Sequence, residues 1–273
     1  MKLSQVKLVV SDMDGTLLNN QGEVSQNFFN IFEALKKENI HFVAASGRQY
    51  FSITDKLNGI ANDITIIAEN GAITKQQGKD LLLIKIPKEE IKDLILLLRS
   101  FDDIEIVLCG KKSAYIETKN ESFINFFKEF YTKYKQVEDL TAIDNDDFLK
   151  IAVYCKHGSE EQLYPHIKHL EADYKVKVSG QVWLDISHQN ANKGFALSQL
   201  QKNLGITTEE TMVFGDYNND LEMMERSYYS YAMENAHPNV KKAARFITKS
   251  NNEAGVEMVL ASLLEKIKLY KQG

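Results

Sequence analysis

Cysteine is scarce in this chain of 273 residues, which has only two, Cys109 and Cys155. Their spacing fits no metal or redox pattern, so zinc ribbons and disulfide frameworks are excluded and two reduced, packed thiols are expected. Long apolar runs are missing as well. The most apolar cluster, "IKDLILLL" at residues 91–98, is broken by charge and far below bilayer-spanning length. The opening "MKLSQVKLVV" has no signal-peptide pattern, so the expectation is a cytoplasmic protein with no membrane association. Basic surplus is absent too: 33 Lys and Arg against 38 Asp and Glu give a formal charge of −5. The basic residues are scattered, which leaves no footprint for nucleic acid. The overall field mildly repels anions, so a phosphorylated ligand has to be drawn in by a local site. There is no internal repeat, no low-complexity segment and no sign of an obligate protein partner.

What remains is ordinary globular composition, 44% hydrophobic and 26% charged, at a length that suits one large domain or two modest ones. Residues 6–11 read as a buried strand. A helix follows with Phe28, Ile31, Phe32 and Leu35 at helical spacing and Ser25 as N-cap. "IHFVAAS" and "DITIIAEN" are two further buried strands. The rhythm resumes late, with helix 193–204, strand "TMVFGD", helix 218–226, strand "YYSYAM", a short helix at 239–244, strand "FIT" and a helix from about 252. Apolar runs alternating with amphipathic helices predict an α/β fold, a Rossmann-like parallel sheet with helices on both faces.

The middle of the chain differs. Pro87 opens helix 88–100, strands "IEIVLC" and "SAYIET" follow, then a helix over 120–134 and strand "LKIAVYC". Ser159 and Gln162 suggest a capping box for helix 160–172, and "YKVKVS" and "QVWLDIS" pair across Gly180. This αββ-αβ-αββ order predicts an inserted, largely antiparallel α+β domain at 84–187, between core segments 1–83 and 188–273. Two crossings allow hinge motion, and the cleft between domains favours a small ligand.

In an open α/β sheet, ligands collect beyond the carboxyl ends of the strands. Four groups fall there: Asp12 and Asp14 in "DMDGTL", Ser46, Gly47 and Arg48 in "SGR", Lys193 in "NKG", and Asp216, Asn219 and Asp220 in "GDYNND". Such a set suits a hard cation beside a phosphate. Mg²⁺ takes oxygen ligands and keeps several waters, so Asp12 and Asp216 suffice as side-chain ligands. One Asp12 oxygen can attack phosphorus. Asp14, two residues along an extended chain, lies on the same side and can protonate the leaving oxygen, then take a proton from water. Ser46 and the Gly47 amide can bind phosphoryl oxygens, Lys193 supplies positive charge and Asn219 can steady the phosphate or a water. Arg48 either reaches the substrate or pairs with an acidic neighbour.

These four motifs, in this order, resemble those of the haloacid dehalogenase-like hydrolases. The inserted unit and "AENGA" at 68–72 resemble their Cof-type phosphatases with a type IIB cap, and the likeness spans nearly the whole chain. The resemblance implies a magnesium-dependent phosphoric monoester hydrolase acting on small phosphorylated metabolites, sugar phosphates first, through an aspartyl phosphate on Asp12. It also implies a metal contact from the backbone carbonyl of Asp14 and a phosphate contact from the Met13 amide. Whether Asp220 ligates directly or positions a ligand stays open. "SHQNANKG" replaces the small-residue run that often precedes the motif-three lysine, so substrate contacts there are unassigned.

Each motif alone has a blander reading. Asp-x-Asp-Gly can open a calcium loop, but Leu17 occupies the place that needs glycine and a strand precedes it. "GDYNND" alone is a solvated helix start. Their joint occurrence at strand ends favours a site. Trp183 is expected to pack, Tyr217 to lie on a helix surface and His188 to lie at the surface or the hinge, while Asp185 has no assignment. Two other functions fit the same residues: a sugar-phosphate mutase, and a non-catalytic sugar-phosphate-binding protein.

Overall fold

A computed structural model describes residues 3–272. The chain begins with strand β1 (Leu8–Asp12), helix α1 (Gln26–Lys37), β2 (His41–Ala45), α2 (Tyr50–Lys56) and β3 (Thr65–Ala68). A hairpin of β4 (Ile73–Gln76) and β5 (Lys79–Leu83) follows. The insert holds α3 (Lys88–Leu98), β6 (Ile104–Gly110), β7 (Ala114–Ile116), α4 (Glu121–Phe127), β8 (Tyr134–Gln136), β9 (Phe148–Cys155), α5 (Ser159–Gln162), α6 (Tyr164–Ile167), β10 (Tyr174–Val178) and β11 (Trp183–His188). The chain then returns through α7 (Lys193–Leu204), β12 (Thr211–Gly215), α8 (Leu221–Met224), β13 (Tyr229–Ala232), α9 (Pro238–Ala243), β14 (Phe246–Ile247) and α10 (Gly255–Gln272).

Two sheets result. The first has eight strands in the order β14-β13-β12-β1-β2-β3-β4-β5, and the second has six in the order β10-β11-β9-β6-β7-β8. β1 pairs in parallel with both β2 and β12, and all five of its residues are buried. Strand order runs outward from β1 in both directions, so the topological switch point lies at the end of β1, where Asp12 sits. α1 buries Phe28, Phe32 and Leu35 on one stripe, and the Ser25 side chain caps it by accepting from the Phe28 amide at 3.1 Å. α7 is capped by Asn192, whose side chain accepts from the Phe195 amide at 2.7 Å. That cap fixes Lys193 as the first residue of the helix.

The parallel core stands as expected, from β14 through β1 to β3, with a hairpin added at its edge. There β3/β4 and β4/β5 pair antiparallel. The Gln77-Gly78 turn, with φ of 51° and 73°, has the hairpin geometry that joins such strands. Two local expectations need correction. Helix 120–134 ends at Phe127, and β8 then pairs in parallel with β7. Phe123, Phe127 and Tyr131 pack in one cluster, with the Phe127 and Tyr131 rings stacked at 4.7 Å, so their spacing imitates two more helical turns. Helix 160–172 is broken at Leu163 (φ −111°, ψ −47°), just before Pro165, into short helical turns. Ser159 caps nothing; its hydroxyl faces the carbonyls of Gly180, Gln181 and Trp183, which share its single proton. No helix among the described residues is long and apolar enough to cross a membrane.

Candidate active site

A cavity of about 440 Å³ lies where the two sheets meet. Asp12, Asp14, Ser46, Gly47, Arg48, Asp216 and Asn219 line it from the first sheet, and Phe130, Tyr131, Lys150, Gln181, Trp183 and Asp185 from the second. Lys193 and Met13 are fully buried and stand behind this lining.

At its floor, Lys193 Nζ donates to Asp12 Oδ1 at 2.5 Å and to Asp220 Oδ1 at 2.7 Å. The carboxylates of Asp12, Asp216 and Asp220 each place an oxygen within 4.8 Å of the others. Burial pushes the Asp12 carboxyl well above its usual range; Lys193 opposes this, and Asp220, Asp216 and Asp14 reinforce it. Burial, then Asp220, pushes Asp216 up to about 7, against the pull of Lys193 and a bond from Thr16. Burial works against the Lys193 charge, but Asp12 and Asp220 outweigh it and keep the ammonium charged.

Fully ionised, three carboxylates facing one ammonium would carry two uncompensated negative charges in a buried pocket, which is why Asp12 and Asp216 hold their protons so strongly without a cation. That charge and the all-oxygen donor set fit Mg²⁺. Asp220 is already committed: Oδ1 accepts from Lys193, and Oδ2 accepts from the amides of Asp216 and Tyr217 at 2.9 and 3.1 Å. Asp12 and Asp216 are therefore the carboxylates with oxygens to spare. Gly15 makes room for them. Its φ is +74°, and a Cβ there would fall 2.3 Å from Asp216 Oδ2.

Asp14 stands apart from this cluster, with its side chain 48% exposed, so it remains reachable from the cavity. Arg48 grips it with two bonds, Nε to Oδ2 at 2.8 Å and Nη2 to Oδ1 at 2.6 Å. Of the two options for Arg48, the structure shows the acidic partner. Ser46 Oγ accepts from the Arg48 amide at 3.1 Å, and Asn219 Nδ2 donates to Asn70 Oδ1 at 3.0 Å.

The loop after β2 also carries the second sheet. Lys150 Nζ donates to the Gly47 carbonyl at 2.9 Å, and Arg48 Nη1 donates to the Glu129 carbonyl at 2.5 Å. Gln49 exchanges two bonds with the Lys133 backbone, at 2.8 and 3.0 Å. Sequence reasoning missed Thr16, Gln49, Asn70 and Lys150. A lone lysine within the apolar run "LKIAVYC" was a usable signal for the last. Tyr217 lines the cavity rather than an outer helix surface. Trp183 packs among Phe126, Phe130, Tyr131 and Tyr154 and shows one side to the cavity. His188 closes β11, and its Nδ1 accepts from the Asn190 amide.

Comparison with known proteins agrees with this architecture. The model of the haloacid dehalogenase-like hydrolases matches residues 9–260. A 5-amino-6-(5-phospho-D-ribitylamino)uracil phosphatase of Escherichia coli K12, YbjI, is 34% identical over 264 residues, covering 95% of this chain and 97% of its own length. The crystal structure of SMU.1108c from Streptococcus mutans UA159 superposes with a TM-score of 0.89 at 30% identity, covering 95% of this chain and 99% of that one. The subclass IIB sugar phosphatase BT4131 shares the fold, with a TM-score of 0.80 at 21% identity over 94% and 98% of the two chains. The chain belongs to the haloacid dehalogenase-like hydrolases, as a phosphoric monoester hydrolase of the Cof-type group.

Proposed function

We propose that the protein is a Mg²⁺-dependent phosphatase of small phosphorylated sugars or polyols, working through an aspartyl phosphate on Asp12. One observation carries this reading: the Asp12 carboxylate, at the switch point of the sheet, shares a cavity with Asp14, Ser46 and Asp216 and is held from behind by Lys193. The ribitylaminouracil phosphate named for the Escherichia coli relative supports a polyol ester as the substrate type.

Mg²⁺, held by the carboxylates of Asp12 and Asp216, would offset the negative charge of the cluster and of the phosphate and so permit attack by an anion. Lys193 fixes the Asp12 carboxylate, which displaces the leaving oxygen from phosphorus. Asp14 gives that oxygen a proton and, as a carboxylate, takes one from the water that hydrolyses the acyl phosphate, releasing inorganic phosphate and restoring both residues. The grip of Arg48 on Asp14 must loosen for this proton to move. Ser46, the Gly47 and Met13 amides and Asn219 hold the phosphoryl oxygens. Asp220 acts by positioning Lys193 and the turn at Asp216. Residues 1–83 and 188–273 supply this machinery, and residues 84–187 form the cap that encloses the leaving group and excludes water.

The test is release of inorganic phosphate from sugar, polyol, nucleotide and cofactor phosphates, with Mg²⁺ and with excess EDTA, for the wild-type protein and Asp12→Asn. Metal-dependent release that Asp12→Asn abolishes is expected. Undiminished release by that variant would refute the nucleophile, an isomeric sugar phosphate as product would indicate a mutase, and binding without release would indicate a sensor.

A further inference from the structure

One carboxylate in the cavity takes no part in the chemistry above. Asp185, on β11, is only 3% exposed and lines the cavity from the second sheet. Its two oxygens are used unequally. Oδ2 accepts from Asn70 Nδ2 at 2.6 Å and from Lys150 Nζ at 3.1 Å. Oδ1 accepts no hydrogen bond among the described residues and is not sealed from solvent, so a donor can reach it from the cavity.

The surroundings leave Asp185 little freedom to turn. Lys150 also donates to the Gly47 carbonyl at 2.9 Å and forms an ion pair with Glu69 at 3.1 Å, so the ammonium is held from three sides. Asn70 is held in turn by Asn219. Glu69 and Asn70 both adopt positive φ, 50° and 54°, an uncommon conformation for residues with side chains, which sets the Asn70 amide between Asn219 and Asp185. Toward Asp185, Lys150 and Asn70 present only N–H donors, because Asn219 occupies Asn70 Oδ1, so the committed oxygen cannot exchange roles with a donor group. The free oxygen stays with the cavity.

We propose that Asp185 is a specificity-determining residue whose Oδ1 accepts a hydrogen bond from the leaving group, so that the preferred esters carry a hydroxyl or N–H donor at the end that meets Asp185. This rests on the phosphatase reading. A leaving group with a second phosphate or a carboxylate at that end meets a fixed negative charge and is rejected. A neutral polyol or an amino-substituted group is accepted, with Phe130 and Trp183 covering its carbon skeleton.

The experiment compares kcat/KM for D-ribitol 5-phosphate, which is rich in hydroxyl donors, with that for phenyl phosphate, whose leaving group has none. The wild-type protein should prefer ribitol 5-phosphate, and in Asp185→Ala the ratio of the two should fall about 30-fold, the usual worth of a hydrogen bond to a charged group. Asp185→Asn keeps the shape and secures the test if the alanine variant does not fold. Its amide oxygen must face Lys150 and Asn70, which turns an NH₂ toward the cavity, and the ratio should drop about tenfold. An unchanged ratio in folded Asp185→Asn, or a wild-type protein indifferent to the two esters, would overturn the role of Asp185. Absence of phosphate release from either ester by the wild-type protein would remove the phosphatase reading itself, and this role with it.

Discussion

Without a divalent cation, the stability of this protein should fall as pH rises, because of the acidic floor of the cavity. The Asp216 carboxyl is pushed from 3.8 up to about 7, chiefly by burial. A raised carboxyl binds its proton more tightly in the folded state, so stability is highest below the unfolded value and declines as pH passes upward through the folded one. The gap of about 3 pH units at ~1.4 kcal/mol each gives roughly 4 kcal/mol in all for Asp216, of which about 2 kcal/mol falls between pH 5.5 and 8. Asp12 and Glu69, both raised by burial, act in the same direction, whereas His41, lowered by burial, acts in the opposite one. Lys193 is raised above 10.5 and contributes no slope in this window. A change of about 2 kcal/mol corresponds to roughly 5 °C in a chain of this size. The assay is thermal unfolding followed by circular dichroism at pH 5.5 and 8, in EDTA and in 10 mM Mg²⁺, with Asp216→Asn alongside. The fall should be plain in EDTA, largely cancelled by Mg²⁺ and reduced by about 2 kcal/mol in the variant. Equal slopes with and without metal, or an undiminished slope in Asp216→Asn, would refute the account of an overcharged pocket.

Two further outcomes follow from the same floor. Lys193→Met strips the ammonium from Asp12 and Asp220 and leaves both carboxylates buried without it, so urea unfolding should show a loss of about 3–5 kcal/mol alongside lost turnover; a loss below about 1 kcal/mol would show that the pair does not hold the fold together. Gly15→Ala places a Cβ against Asp216 Oδ2 at a backbone φ of +74°, and kcat should fall about a hundredfold while circular dichroism stays native. Turnover at the wild-type rate would mean that Asp216 can shift without consequence.

The core of the fold and the floor of the site were legible because their signals are local. Buried parallel strands read as continuous apolar runs, and the residues just beyond them, Asp12, Ser46 and Asp216, reach a common cavity by the geometry of the sheet alone. The cap side was not legible in this way. Asp185 lies opposite Ala152 in the β11/β9 pairing, which sets it near Lys150, and both must then meet Asn70 from another sheet. No spacing within one segment encodes that meeting. The span 120–134 misled for a related reason. Aromatic residues four apart serve a cluster as well as a helix, and the Lys133 backbone is drawn away to Gln49 and Ala114. Ser159 looked like a cap by position, but three carbonyls of the facing segment compete for its hydroxyl.

Gly47, Arg48 and Gln49 follow Ser46 on the cavity wall, and each is bonded to residues of the second sheet's segment. Exchanging residues 84–187 for the equivalent stretch of a relative would therefore be more than a change of lid. Unless the donor supplied counterparts of Lys150 and of the backbone at Glu129 and Lys133, the graft would strand the Gly47 carbonyl and the Gln49 amide and leave Arg48 held by Asp14 and Ser52 alone, all at the edge of the cavity. Transplanted selectivity in this scaffold should come together with a slower chemical step, and the seam is the first place to repair.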